Sequence, residues 1–278
     1  MYLITGGSGQ LGGALTQIMN NLAVAPTHKE LDITNRDKVF SFVKENKPSV
    51  IINCAAYNAV DKAENDVKNC MAVNYLGTKN VVEAAAEVGA YLIFISTDFV
   101  FDGEKKTPYE TYDKVSPLSF YGRSKVKGEE VALSYENSLV LRTSWLFSKR
   151  ENNFVHAVLK KAMNNESIAV VSDQVGSPTY AADLAETINR LIKIRPTGIL
   201  HATNEGVCSR FEFAQEVLRQ GGFDCEIHSV SSKEYMSPAP RPAYSVLSKK
   251  CLDQIGVDRL PDWHDALRRY FVEKELNR

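Results

Sequence analysis

The chain has 278 residues, 44% of them apolar, with 33 basic and 34 acidic residues and a net charge of −1. This balance, without a long basic run, argues against binding nucleic acid by phosphate neutralisation, and no apolar run approaches the ~18 residues of a membrane span. Met1 leads straight into an apolar stretch with no basic, apolar and small-residue leader pattern, so a cytoplasmic location is expected. Five cysteines, with no C-x-x-C pair, read as reduced structural thiols.

Tyr2-Leu3-Ile4 is the first predicted strand, and Thr5-Gly6-Gly7-Ser8-Gly9-Gln10-Leu11-Gly12 turns it into a helix running to Leu22. Such a turn lets backbone approach a pyrophosphate, which the free N–H groups of the helix then receive. Two spacings fit, Gly6/Gly9/Gly12 and Gly7/Gly9/Gly12, and the glycines alone do not choose between them.

Further strands are expected near 22–26, 50–54, 91–96 and 139–143, with helices such as Val39 to Glu45 and Asn80 to Val88 between them and Gly89 as a stop. Val50-Ile51-Ile52 and Tyr91-Leu92-Ile93-Phe94-Ile95 are continuously apolar, as in strands covered on both faces. The alternation predicts an α/β fold with a Rossmann-like, doubly wound parallel sheet. After Phe147 shorter segments punctuated by Asn152-Asn153 and Asn164-Asn165 suggest a smaller C-terminal substrate-binding lobe. The expected division is 1–147 for the dinucleotide and 148–278 mainly for substrate, with some later segments returning to the first domain. Ser237-Pro238-Ala239-Pro240-Arg241-Pro242 reads as an extended loop, and Trp263 to Leu276 as a closing surface helix.

Tyr121 and Lys125 stand at i and i+4, on one face of a helix, where a lysine cation should lower the tyrosine pKa and make it a better proton donor. Tyr75 and Lys79 repeat the spacing, so context must decide. Ser96-Thr97-Asp98 ends the strand at 91–95, where ligands of open α/β sheets bind, and Tyr121 follows it in the chain. That favours Tyr121/Lys125 and leaves Tyr75/Lys79 as helix surface.

Gly6-x-x-Gly9-x-x-Gly12, Ser96-Thr97-Asp98 and Tyr121-x-x-x-Lys125 together resemble the extended short-chain dehydrogenases/reductases. Asn53-Cys54-Ala55-Ala56-Tyr57, Phe101-Asp102-Gly103, Arg142-Thr143-Ser144-Trp145, Asp173-Gln174-Val175-Gly176-Ser177-Pro178 and Pro240-Arg241-Pro242 resemble the dTDP-4-dehydrorhamnose reductase family among them. The resemblance implies reduction of the C4 ketone of dTDP-4-dehydro-6-deoxy-L-mannose to dTDP-L-rhamnose, for surface polysaccharide. It implies that Thr97 binds the C4 carbonyl, Tyr121 donates the proton, and Lys125, supported by Asn74, holds the nicotinamide ribose and tunes Tyr121. The cofactor would lie along Gly6, Gly9, Gln10, Leu11 and Gly12, with Ala55, Ala56 and Tyr57 beside it and Asp32-Ile33 at the adenine. Asp32 could equally cap the helix starting near Asn35. Asp98, Trp145, Asn153 and Arg241 are the substrate candidates, Arg241 as a guanidinium fork for the diphosphate.

At the end of the second strand Ala25-Pro26-Thr27-His28-Lys29 lacks the acid of NAD-selective sites, so NADPH should serve at least as well as NADH. Some relatives bind Mg²⁺ at a dimer contact through an acid after the glycine turn. Gly13-Ala14-Leu15 offers none, so no metal is expected and a homodimer stays open. Thr97-Asp98-Phe99 lacks the glutamate of sugar-nucleotide dehydratases. A reductase or epimerase of another nucleotide deoxysugar, or a non-catalytic subunit like the methionine adenosyltransferase beta subunit, are the competing readings.

Overall fold

The computed structural model describes residues 1–150 and 153–275; Asn152 and Leu276 of the expected elements lie outside them. Six parallel strands form the main sheet: β1 (Tyr2–Thr5), β2 (Ala23–Val24), β3 (Val50–Asn53), β4 (Tyr91–Thr97), β5 (Ser138–Thr143) and β6 (Gly198–His201). Their order is β6-β5-β4-β3-β1-β2, so the chain leaves β1 toward one edge and returns to build the other side. The order reverses between β1 and β3, and the crevice beyond the strand ends there is where such sheets bind ligands.

Alternate strand residues pack on the two faces of the sheet, as a period of two requires, and together these faces make the first core. Ile4, Val50, Ile52, Tyr91, Ile93, Leu139 and Leu141 pack under α1 (Gln10–Met19) and a helix at Ala181–Ile194. Leu3, Ile51, Leu92, Phe94 and Val140 pack under α2 (Arg36–Asn46), α3 (Thr78–Val88) and α4 (Phe120–Leu133). The buried strands thus read as unbroken apolar runs because both faces are covered. Gly89, at φ +67°, ends α3 as a left-handed cap, the stop expected of it.

β6 was not among the expected strands. It is four residues long, begins with a left-handed Gly198 and is only half buried at its start, so neither alternation nor an apolar run marks it.

A second core gathers Phe147, Leu159, Phe213, Trp263, Leu267 and Tyr270 around α5 (Phe154–Met163), α6 (Arg210–Gly221) and α7 (Trp263–Glu275). A parallel strand pair, 168–171 with 227–230, flanks it. Trp263, Ala266, Leu267 and Tyr270 give α7 its buried stripe, the amphipathic helix expected. All five cysteines are free thiols. Among the described residues no helix is long and apolar enough to cross a membrane.

Candidate active site

The glycine turn resolves its own spacing. Gly6 sits at φ +67°, and a Cβ on Gly12 would lie 2.2 Å from the Gly6 carbonyl oxygen. Gly6 also passes so close to Ala55 that a Cβ there would meet its backbone nitrogen at 2.8 Å. The Gly6/Gly9/Gly12 set therefore builds the turn, while Gly7 packs against Ala25. α1 begins at Gly9 with no side-chain cap and no acid in its first turn, which leaves its N–H groups and dipole to an anion. This cradle fits a dinucleotide pyrophosphate.

The turn opens into a cleft of about 590 Å³ that reaches across to the second core. Gly6, Gly9, Gln10, Leu11, Gly12 and Ala56 line one end, and Thr97, Asp98, Tyr121 and Lys125 its middle. Trp145, Arg210 and Arg241 line the other end, and Asn153 joins the lining beside Ser148 and Arg150, which touch the glycine turn. Asp32, Ile33, Ala55 and Tyr57 stand outside this lining. Asp32 accepts from Thr34 N and Oγ1 at 2.9 and 2.8 Å, and Asn35 rather than Asp32 caps α2. Ile33 packs where a Cβ on Gly77 would be.

Thr97 ends β4, its hydroxyl donating to Asp98 Oδ1 at 3.1 Å and accepting from Phe99 N at 3.2 Å. Ser119 caps α4 by accepting from Gly122 N, and this places Tyr121 in the first turn with Lys125 one turn further along. Tyr121 Oη donates to Asn58 Oδ1 at 3.4 Å. Lys125 Nζ donates to the Ile95 carbonyl at 2.6 Å and lies 4.2 Å over the Phe94 ring. Tyr75 and Lys79 are not part of the cleft, and Lys79 pairs with Glu83 on the surface. Asn74 lies in a π-helical turn, Ala72–Gly77. It accepts from Tyr57 N at 2.8 Å and donates to Tyr57 O at 3.1 Å and Ser124 Oγ at 2.9 Å. It thus ties the 55–57 stretch to α4 beside Lys125, and the polar residue is a buried brace.

One expectation about this pair is reversed. Burial raises the Tyr121 pKa above its ordinary value, with Asp98 adding to the rise and the Thr97 hydroxyl opposing it. Lys125 is itself pushed down to about 8 by burial, with Glu129 opposing. Desolvation therefore outweighs any help the lysine gives the phenol. Asp98 is fully enclosed, and burial pushes its carboxyl up to about 6 against a Ser245 hydrogen bond and the Arg210 charge. Its Oδ2 has no hydrogen-bond partner.

At the far end Trp145 adopts φ +47°, uncommon for a large side chain, and Gly176 leaves room for its indole. Asn153 caps α5, accepting from His156 N at 3.1 Å and donating to Ser148 O at 2.9 Å. Arg241 donates to Asp61 Oδ2 at 2.8 Å and to Ala239 O at 3.0 Å. Arg210 and Arg150 were not foreseen. Arg210 lies 3.7 Å over the Trp145 ring, and Arg150 donates to Ser8 O at 2.9 Å beside the glycine turn. No motif marks either one, because each meets the cleft through tertiary contacts alone. Among the described residues that line the cleft, Lys125, Arg150, Arg210 and Arg241 face one carboxyl, Asp98, so this part of a nearly neutral protein is cationic.

The acid missing from Ala25–Lys29 is nearby after all. Glu30 accepts from Thr27 N and Oγ1 at 2.7 and 2.8 Å, so its charge is engaged within that exposed turn.

The family described as RmlD substrate binding domain matches residues 1–276. The dTDP-4-dehydrorhamnose reductase of Mycolicibacterium smegmatis is 40% identical over 275 residues, covering 96% of this chain and 83% of that one. The spore coat polysaccharide biosynthesis protein SpsK of Bacillus subtilis is 37% identical over 276 residues, 98% of this chain and 97% of that one. The crystal structure of dTDP-4-dehydrorhamnose reductase (rfbD) from Bacillus anthracis in complex with NADP has 39% identity and a TM-score of 0.95, covering 98% of each chain. With its glycine turn, strand-end threonine and Tyr/Lys helix face in one cleft, the chain belongs to the RmlD family of dTDP-4-dehydrorhamnose reductases.

Proposed function

We propose that this protein is an NADPH-dependent oxidoreductase that reduces the C4 ketone of dTDP-4-dehydro-6-deoxy-L-mannose to dTDP-L-rhamnose, with NADH as a second acceptable reductant. The observation that carries the reading is one continuous cleft running from the bare N-terminus of α1, past Thr97, Tyr121 and Lys125, to Trp145 and two arginines. It suits a dinucleotide at one end and a nucleotide sugar at the other. Bound at the glycine turn, NADPH supplies the hydride that C4 receives.

The chain's own groups manage the charge that develops on the C4 oxygen. Thr97 Oγ1 donates a hydrogen bond to it, and Tyr121 Oη, released from Asn58, transfers its proton there. Lys125, as a cation, offsets the phenolate left behind, and it is held in place by the Ile95 carbonyl. Asn74 fixes the 55–57 backbone on which the nicotinamide end of the dinucleotide would rest. Asp32, Ile33, Ala55 and Tyr57 we assign, with Ala56, to the dinucleotide on the family pattern, and Asp98, Trp145, Asn153 and Arg241 to the sugar nucleotide. Residues 1–147 would then serve chiefly the dinucleotide and 148–278 the substrate. A cytoplasmic site of action and a homodimer complete the proposal.

The test is NADPH oxidation by purified protein given dTDP-4-dehydro-6-deoxy-L-mannose, with the product identified by mass spectrometry and the UDP analogue alongside. Formation of dTDP-rhamnose is expected. Dinucleotide binding without turnover of either sugar nucleotide would overturn the reading in favour of a partner-binding role or another substrate.

A further inference from the structure

The two arginines at the substrate end of the cleft are not equivalent. Arg241 already spends its fork, one nitrogen on the Asp61 carboxylate and one on the Ala239 carbonyl. Arg210 spends none of its five N–H donors on any hydrogen bond among the described residues, although it lines the same cleft. Its guanidinium instead lies against two aromatic rings, with its carbon 3.7 Å from the centroid of Trp145 and 5.2 Å from that of Phe154. Two aromatic neighbours thus restrict where the fork can sit, while the residue lines the cleft.

A guanidinium without an acceptor in a partly desolvated cleft is costly unless a ligand completes it. Burial and the neighbouring Arg241 both lower the Arg210 pKa, to about 10, with Asp98 opposing. A diphosphate would remove both penalties, since it supplies acceptors matched to the fork and negative charge between two cations.

Resting on the nucleotide-sugar reading above, we infer that Arg210 is the principal diphosphate-binding residue of the substrate, restricted in place by Trp145 and Phe154, while Arg241 chiefly holds its loop to Asp61. The main chain at this position is independently secured, which makes the side chain testable. Arg210 N donates to Gln174 O at 3.1 Å, and Ser209 and Glu212 form a capping box around it.

The experiment titrates dTDP, UDP and GDP calorimetrically into the wild-type chain, Arg210→Gln and Arg210→Lys, with NADPH titrated into each in parallel. The wild type should bind at least one diphosphate. Arg210→Gln should weaken that binding by about 10- to 100-fold, and Arg210→Lys, a point charge without a fork, by less. NADPH affinity should stay within about twofold, since its cradle is at the other end of the cleft. Equal diphosphate binding by all three proteins overturns the inference alone. Parallel loss of NADPH binding also overturns it, because Arg210 would then serve the dinucleotide or the fold. A wild type that binds none of the three diphosphates overturns both the inference and the nucleotide-sugar reading.

Discussion

In the proposed reaction Tyr121 must give up a proton from a phenol whose burial, with Asp98 nearby, holds that proton on. Tyr121→Phe removes the transferable proton and little volume, so kcat should drop by about 10²- to 10⁴-fold with NADPH affinity nearly unchanged. Stopped-flow hydride transfer together with an NADPH titration checks this, and normal turnover would remove Tyr121 from the acid role. Lys125 sets a pH limit. Its pKa is depressed to about 8, so in the free protein the cation disappears as pH rises through that value. The profile of kcat/KM should therefore carry an alkaline limb near pH 8, well below where an ordinary lysine would put it. Stability should move the other way. Between about 8 and 10.5 the unfolded chain holds more protons than the native one at this residue, so this group's contribution grows with pH. The Tyr/Lys pair was legible because i and i+4 residues share a helix face whatever surrounds them. Their pKa directions were not, since burial, invisible in a spacing, overrides the lysine's influence.

At the scale of elements, the glycine turn is the part whose geometry tolerates least. A methyl on Gly12 would meet the Gly6 carbonyl oxygen at 2.2 Å, and that oxygen cannot retreat, because it accepts from Gly9 N at 2.9 Å. Gly12→Ala must push α1 away from the turn, at a cost of about 1–3 kcal/mol of overpacking. Loss of NADPH affinity by at least about tenfold should accompany the lower melting temperature, because the N–H groups of α1 no longer converge on the turn. Fluorescence titration of NADPH reads the first effect and thermal unfolding the second. The positions of β1, β3, β4 and β5 were legible because both faces of each are covered, so each carries a run of at least three apolar residues. β6 lacks that mark, since it is a four-residue edge strand whose only ladder among the described residues is the parallel one with β5. The choice between two glycine spacings likewise needed the turn's shape, as both fit the same letters.

Across the whole molecule two cores meet along one cleft, and polar links join them there and behind it, where Arg269 of α7 grips Asp183 with two bonds. Gln10 accepts from Ser148 Oγ at 3.2 Å and Arg150 donates to Ser8 O beside the glycine turn, while the Asp61–Arg241 pair stands at the other end. Asp61 also accepts from Ala239 N at 3.1 Å, so one carboxylate pins the proline-set loop from both sides of its bend. Sequence exposed the loop's stiffness through its prolines and singled out Arg241, but not that partner, 180 residues away. As an ion pair half open to solvent, Asp61–Arg241 is worth about 1 kcal/mol or less to folding, so Asp61→Ala should lower the melting temperature only slightly. Its effect should fall instead on substrate binding: a loop freed to sample other positions must be ordered when the nucleotide sugar arrives. KM for the nucleotide sugar should rise by about 3- to 10-fold, with kcat and NADPH affinity nearly unchanged. Steady-state kinetics with the keto-sugar as variable substrate separates two mechanisms. A higher KM means that the pair preorganises the loop, whereas a lower one would mean that Asp61 competes with the diphosphate for Arg241, which would then bind it beside Arg210.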